Sequence, residues 1–281
     1  MASLQGAETD ISLSTVDVDG ATLMRAAAAA ELAGFDAVWV YDHLSGAVLG
    51  GSSAHDVWGI LAAVAHATDR VGLGPLVLNA AVRHPAHVAT AAATLQDLSG
   101  GRLRLGLGAG AGPESPYSRE LSMLGLPVDG AAARRAAVAD TVGYLRSLWR
   151  REPSFAGASV SFTDVEGLAH PDPLPPIIVG ANGPRMAALA GRLADGVNLH
   201  FWEPDLDGLI AVSREAASDA GRTHFEVSVE GPFEHDWLDT ASATRRRLAA
   251  LGVSRVMVQW TGALGIAGIE AAAPLLADGV S

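Results

Sequence analysis

Short β-branched runs alternate with long Ala-rich stretches from one end of this chain to the other. Apolar runs bounded by turn residues read as buried strands, and apolar positions three and four apart read as helix faces. The strand candidates are Ile11–Val18, Ala37–Tyr41, Val71–Leu78, Leu103–Gly108, Ile177–Val179, Gly196–Leu199, Phe225–Glu230 and Arg255–Gln259. Helical patterns follow them at Ala21–Ala33, Asp56–Ala67, Ala86–Asp97, Ala131–Trp149, Pro184–Leu193, Leu206–Ala220, Ser242–Leu251 and Ile266–Leu276. Gly34, Gly221 and Gly252 stand where a left-handed residue closes a helix, and Pro85 stands at a helix start. Eight strand–helix units predict an α/β fold, a single (β/α)8 TIM barrel over residues 1–281; a doubly wound open sheet fits the strand number and length less well. One stretch breaks the rhythm. Residues 152–176 carry Ser159-Val160-Ser161-Phe162 and then Pro171, Pro173, Pro175 and Pro176, and read as an inserted loop or hairpin after the fourth helix, either near the active site or a passive connection.

Four segments, Phe35–His43, Val71–Pro85, Gly100–Gly112 and Pro176–Gly183, each put a β-branched run before a turn rich in Gly, Pro or polar groups. Such turns expose backbone N–H groups at the carboxyl ends of strands, where α/β proteins hold ligands, so the four predict one composite pocket.

Composition narrows the chemistry. Hydrophobic residues make up 49% of 281 positions, enough for a large core, and no long apolar window or basic-then-apolar leader interrupts the chain, which predicts a soluble, cytoplasmic protein. With no Cys, disulfides, thiolate nucleophiles and zinc–thiolate sites are excluded. The formal net charge is -12 and all 19 basic residues are Arg, which argues against nucleic acid and excludes Schiff-base chemistry on a lysine. The Arg runs Arg134–Arg135, Arg150–Arg151 and Arg245–Arg247 read as solvated helix faces in preference to anion sites. His84 and His87 have no carboxylate at ligand spacing and read as polar groups at a helix start, so no metal is expected.

The phrases Gly34-Phe35-Asp36-Ala37-Val38-Trp39-Val40-Tyr41-Asp42-His43, Arg83-His84-Pro85, Leu98-Ser99-Gly100-Gly101-Arg102-Leu103, Gly106-Leu107-Gly108-Ala109-Gly110 and Gly180-Ala181-Asn182-Gly183-Pro184 resemble, in order and spacing, the bacterial luciferase-like superfamily. The resemblance runs from about residue 20 to residue 200 and is strongest to F420-dependent oxidoreductases. It implies a TIM barrel holding the deazaflavin coenzyme F420, or alternatively FMN, at the carboxyl ends of its strands, and a homodimer formed through outer helices.

A His next to an Asp at a strand end can move protons near neutral pH, though a hydrogen-bonded rim His has the same appearance. The resemblance makes His43 the acid or base and Asp42 a contact to the coenzyme ring. It also implies a non-proline cis peptide between Leu76 and Val77 behind the ring, with Asn79 at the ring edge. The run Gly106–Gly112 is no dinucleotide fingerprint, because Pro113 follows instead of a helix. Its glycines permit a flat ring or a phosphate to approach Ala109 and Gly110. Gly180, Ala181, Asn182 and Gly183 lead into a helix starting at Pro184, an arrangement suited to an anion and assigned by the resemblance to the coenzyme phosphate. Similar sugar-phosphate dehydrogenases carry a catalytic Glu where this chain has Ala111, which together with the missing Lys disfavours a sugar phosphate. Downstream, His200, Trp202, Glu203, Glu230 and Trp260 follow or end strands and are expected to face a small-molecule substrate. The function implied is hydride transfer between F420 and a small organic substrate. The alternatives are an FMN-dependent monooxygenase using dioxygen and a non-catalytic flavin-binding barrel.

Overall fold

The computed structural model describes residues 7–277; residues 1–6 and 278–281 of the expected single domain lie outside the described residues. In chain order the elements are β1 (Glu8–Leu13), α1 (Gly20–Ala33), β2 (Ala37–Val40), α2 (Val57–Ala67), β3 (Gly72–Pro75), β4 (Leu78–Asn79), α3 (Pro85–Leu98), β5 (Leu105–Gly108), α4 (Arg119–Met123), α5 (Ala131–Trp149), β6 (Ser154–Ala156), β7 (Ser161–Thr163), β8 (Ile177–Gly180), α6 (Pro184–Leu193), β9 (Gly196–His200), α7 (Leu206–Asp219), β10 (Glu226–Pro232), α8 (His235–Leu238), α9 (Ala243–Ala250), β11 (Arg255–Trp260), α10 (Gly265–Glu270) and α11 (Ala273–Ala277). One sheet has the order β3-β2-β1-β11-β10-β9-β8-β5-β4, and each neighbouring pair in it is parallel. β3 and β4 are halves of one interrupted strand, and a bridge from Leu73 to Leu103 ties that strand to the approach of β5. The sheet thus closes on itself as a TIM barrel with helices outside. No described helix is long and apolar enough to cross a membrane.

Period-two alternation decides what each side of the barrel receives. Ile11, Leu13, Val38, Val40, Val197 and Leu199 are fully buried in the layer between sheet and helices. The inward positions are mixed: Trp39, Met257 and Ala37 share the interior with Asp10, Ser12, Asn198 and Ser228. Polar groups this deep require partners, and they have them. Trp39 Nε1 donates to Asp10 Oδ2 at 2.8 Å, and Asn198 Nδ2 donates to Ser228 Oγ at 3.1 Å.

Toward the amino ends of the strands lies an ion layer. Arg255 donates to Asp10 at 2.5 Å, to Glu226 at 3.1 Å and to Glu8, while Arg104 pairs with Glu226. Burial pushes the Asp10 carboxyl well above its ordinary value and lowers the Arg255 guanidinium to about 10. Burial thus works against both charges, and their mutual pairing offsets part of that cost.

Several boundaries depart from the sequence pattern. The first strand ends at Leu13 instead of Val18, because residues 14–18 form a loop in which Asp17 takes a φ of 52°. Val71–Leu78 is two segments, β3 and β4, with a cis peptide between Leu76 and Val77 in the gap. Ile266–Leu276 divides into α10 and α11, because Pro274 has no N–H to continue a helix.

The Arg runs are corrected in part. Arg245 is 3% exposed and donates to Thr9, Trp237 and Ala7, because α9 turns that face toward β1 and α8. Arg134 and Arg135 face the ligand cleft described below.

Within residues 152–176, β6 and β7 form an antiparallel hairpin. Its Phe162 lies edge-on to Tyr144 of α5 at 4.9 Å, and Asp140 of α5 accepts from the Ala158 and Ser159 amides at 2.9 and 2.7 Å. No residue of this excursion lines the cleft. Those donors outweigh burial and hold the Asp140 carboxyl below its ordinary value of 3.8. Its stabilising effect is complete above that value and is lost as pH falls through the lower, folded-state value. Asp140→Asn is expected to destabilise the hairpin by about 1 kcal/mol, read as faster proteolysis between residues 154 and 163 with the barrel's far-ultraviolet dichroism unchanged.

Candidate active site

At the carboxyl ends of the strands the chain surrounds a cleft of about 1140 Å³. That is above the usual range for a single small ligand and leaves room for a ring coenzyme beside a substrate. Its floor is built from small groups. A Cβ on Gly108 would lie 2.3 Å from Val77 Cγ2, and one on Gly110, at a φ of 64°, would lie 2.4 Å from the Asn79 amide group. Val77 packs closely against Gly106 and Gly108 of β5 and Gly180 of β8, and the missing side chains at those glycines are what let the strands receive it.

Beside this floor the β2 strand delivers Tyr41, Asp42 and His43 in succession. Asp42 accepts from the Asn79 amide at 3.1 Å and from Arg83 Nε at 2.8 Å, and Arg83 Nη2 completes a bidentate pair. The Asp42 bonds outweigh the effect of burial and raise the Arg83 guanidinium above its ordinary value. Asp42 is thus tied to the turn after β4, which couples the positions of Asn79 and His43.

His43 has a partner that sequence reasoning did not find. Glu120, on α4, is 6% exposed and places its Oε1 3.3 Å from His43 Nδ1. It also accepts from the Leu44 and Ser45 amides at 3.0 and 3.3 Å. A carboxylate bound to Nδ1 holds the imidazole in the tautomer whose Nε2 is free to exchange protons with the cleft. The Tyr117 ring lies 6.1 Å from the same imidazole between centroids, tilted by 50°.

A second network sits deeper. Glu230 of β10 is 1% exposed; its Oε1 accepts from Ser12 Oγ at 2.8 Å and from the Tyr41 hydroxyl. Burial first, and then the nearby Glu230 carboxylate, push the Tyr41 phenol well above its ordinary value, so it remains a donor. His200 Nδ1 is 3.0 Å from Glu230 Oε2 but out of line for a hydrogen bond. Its ring stacks on Trp202 at 4.2 Å with an interplanar angle of 11°.

Of the residues expected at the site, Asp42, His43, Leu76, Val77, Asn79, Ala109, Gly110, Gly180, Asn182, Gly183, His200, Trp202 and Glu230 all line this one cleft. Ala181 and Trp260 do not. Both take outward positions of the alternation: the Ala181 amide donates to Asn198 O at 2.9 Å, and Trp260 Nε1 donates to Gly265 O at 2.9 Å beneath α10. The inward neighbour, Gln259, reaches the cleft in place of Trp260. Glu203 stays outside the lining. His84 caps α3 by accepting from the Ala86 amide, as its helix-start position suggested. Among the described residues no group of three or more His, Asp or Glu is arranged to hold a metal ion.

The Luciferase-like monooxygenase family model matches residues 5–267. The chain belongs to this family. Among relatives of this family member, a protein named F420-dependent glucose-6-phosphate dehydrogenase from Beutenbergia cavernae is 38% identical over 59% of this chain and 48% of the relative. A 5,10-methylenetetrahydromethanopterin reductase from Methanolobus tindarius is 30% identical over 71% of this chain and 56% of the relative. This luciferase-like chain spans about half the length of such curated relatives. Among solved structures, a coenzyme F420-dependent tetrahydromethanopterin reductase from Methanopyrus kandleri superposes with a TM-score of 0.78 at 19% identity, covering 98% of this chain and 100% of that one. An F420-dependent secondary alcohol dehydrogenase gives 0.78 at 18% identity, covering 96% and 99%. These likenesses fix the luciferase-like barrel as the fold.

Two cleft-lining loops are joined by Asp17. Its carboxylate accepts from the Ser52 and Ser53 amides, both at 2.9 Å, and from Ser52 Oγ at 2.6 Å. Those donors hold the Asp17 carboxyl below its ordinary value of 3.8. The clamp is therefore complete above that value and is lost as pH falls through the lower, folded-state value. Hydrogen exchange at the Ser52 and Ser53 amides, corrected for intrinsic rates, is expected to lose protection in that acidic window, and in Asp17→Asn already at neutral pH.

Proposed function

We propose that this chain is an F420-dependent oxidoreductase that moves a hydride between the coenzyme and a small organic substrate. The observation that carries the reading is the meeting, in one large cleft, of a flat glycine floor with the His43–Glu120 dyad. The residues present fit a deazaflavin. Val77 and the backbone of Gly108, Ala109, Gly110 and Gly180 line the floor without bulky side chains, and any Cβ at Gly108 or Gly110 would collide with the surrounding residues. Asn79 and Asp42 stand at its edge. No side chain caps the start of α6, so the Asn182–Gly183 backbone and Arg185 are available to the coenzyme's phosphate.

Bound F420 supplies reversible two-electron hydride chemistry; the protein supplies position and proton exchange. In the oxidative direction His43 Nε2 would accept the hydroxyl proton of an alcohol substrate as its carbon is oxidised to a C=O group, the hydride being what the coenzyme chemistry would take up. In the reductive direction His43 returns that proton to the new alkoxide. Glu120 stabilises the imidazolium formed between these events and keeps the ring oriented. Pairing of two copies through outer helices and a cytoplasmic location belong to the same reading; Leu32 on α1 and Leu98 on α3, 88% and 59% exposed, are apolar groups that such a contact would cover.

Titration of the purified protein with F420 and with FMN, at one salt concentration and followed by fluorescence and calorimetry, tests the reading. Tight binding of F420 alone is the expected result. Tight binding of FMN alone would replace it with oxygen chemistry, and binding of F420 without turnover across a broad substrate panel would favour a non-catalytic barrel.

A further inference from the structure

The cleft has two electrically different halves. Arg134 and Arg135 on α5 and Arg185 on α6 line the half beside β5 and β8, with Arg134 Nη1 donating to Gly110 O at 2.5 Å. The other half is formed by the ends of β1, β9, β10 and β11 and by the loop at Leu49–Gly51. Val16, His200, Trp202, Glu230, Gln259 and Thr261 line it. Among the described residues no Arg side chain lines that half, and residues 1–6 and 278–281 contain no Arg, Lys or His. Arg83 is engaged by Asp42, 3.8 Å from Asp56, and is outside the lining. The charges that do face this half are carboxylates: Glu230 beneath it and Asp17 at its rim.

A phosphate ester placed there would lose its water without gaining a cation, and it would face two carboxylates. Burying an unpaired anion under those conditions is strongly unfavourable. The groups present suit something else. Glu230 Oε2 lies 3.0 Å from Nδ1 of His200, so Nε2 is the ring nitrogen placed to accept a hydrogen bond from a hydroxyl or, when protonated, to donate one to a carbonyl. As it stands the pair is out of line for a hydrogen bond, and catalytic hydrogen bonds are often poorly aligned until a ligand is bound. The indole of Trp202, 54% exposed and parallel to the imidazole, gives a flat apolar wall.

We propose that this half of the cleft binds an uncharged alcohol or ketone, its oxygen held by His200 backed by Glu230 and its carbon frame laid against Trp202, and that it rejects phosphate esters, glucose 6-phosphate included. The proposal rests on the hydride-transfer reading for its place in a reaction, but its binding test does not need the coenzyme. His200 is a substrate-binding group here; Glu230 and Tyr41 position it.

The test has two arms on the purified full chain. In the first, the coenzyme-free protein is titrated with cyclohexanol, cyclohexane and glucose 6-phosphate while the imidazole nitrogen-15 signals of His200, assigned with His200→Gln, are followed by NMR. Cyclohexanol is expected to move those signals at saturation, cyclohexane to bind at least tenfold more weakly, and glucose 6-phosphate to leave them unmoved. In Glu230→Met the ring is expected to change tautomer from Nδ1–H to Nε2–H and the response to cyclohexanol to fall at least tenfold. In the second arm, F420-loaded protein is assayed with the same alcohol, where His200→Gln should raise KM at least tenfold while F420 affinity stays within twofold. A His200 response to glucose 6-phosphate, turnover of it at or above the rate for cyclohexanol, no response to cyclohexanol, or an unchanged KM in His200→Gln would each overturn the proposal. If F420 fails to bind yet the His200 response follows the expected order, the coenzyme reading fails and the substrate class stands.

Discussion

His43→Ala is expected to lower kcat/KM with F420 and a neutral alcohol by about 10²–10⁴-fold, the range for loss of a positioned acid–base group, with F420 affinity nearly unchanged. The imidazole is 3.3 Å from Glu120 but is not part of the glycine floor, so removing it takes away proton exchange and leaves the ring site standing. Glu120→Gln separates two contributions of that carboxylate. The amide oxygen can still accept from Leu44 and Ser45, so the β2 loop keeps its course, while the negative charge behind the imidazolium is lost. A smaller loss in kcat than for His43→Ala is expected, and the double variant should be no slower than His43→Ala alone, because the two act as one unit. Additive losses would uncouple Glu120 from His43, and turnover in His43→Ala equal to that of the unaltered protein would remove His43 from the chemistry.

Arg255→Leu is expected to cost about 3–5 kcal/mol of stability, the usual effect of removing one member of a buried ion pair. Arg255 is the shared partner of Asp10, Glu226 and Glu8, and burial already disfavours the charged form of Asp10. Without the guanidinium, Asp10 retains the Trp39 indole as its donor and is driven toward the protonated state. Thermal unfolding should shift down on the order of 10 °C for a domain of this size. Asp10→Asn with Arg255→Leu should recover part of that loss, since no uncompensated carboxylate is left at that position. Equal melting temperatures for Arg255→Leu and the unaltered protein would mean that solvent reaches the layer. Because the layer lies toward the amino ends of the strands, F420 affinity measured well below the melting temperature should hardly change.

Much of this architecture was legible in the chain. Strand–helix alternation and the glycine-rich strand ends identified a barrel with one composite pocket, because local patterning reports burial directly. The resemblance correctly implied the interruption at Leu76–Val77. Reading failed where two outcomes differ only by one position along a strand. Trp260 and Gln259 both end β11, and alternation sends one beneath α10 and the other into the cleft. Ala181 follows the same rule, its amide already engaged by Asn198 O.

Glu120 illustrates a different failure. It lies 77 positions from His43, on a short helix with no strong periodicity, and nothing in its neighbourhood marks it as more than a surface acid. Glu230, Ser12 and Tyr41 likewise come from separate strands and meet only after the barrel closes. The Arg runs looked alike in sequence, yet Arg245 is buried against β1 and Arg134 lines the cleft. Charge alone does not say which side of a helix will be covered.

Alternating hydrophobicity, turn residues and the lack of Cys and Lys establish the fold class, the end of the barrel that carries the cleft and the chemistries that are ruled out, because each is a local or compositional property. Which carboxylate stands behind which imidazole, and which half of the cleft holds the cations, depends on barrel closure. That closure brings β1, β9, β10 and β11 side by side from opposite ends of the chain, and no local pattern encodes the pairing of side chains more than two hundred residues apart.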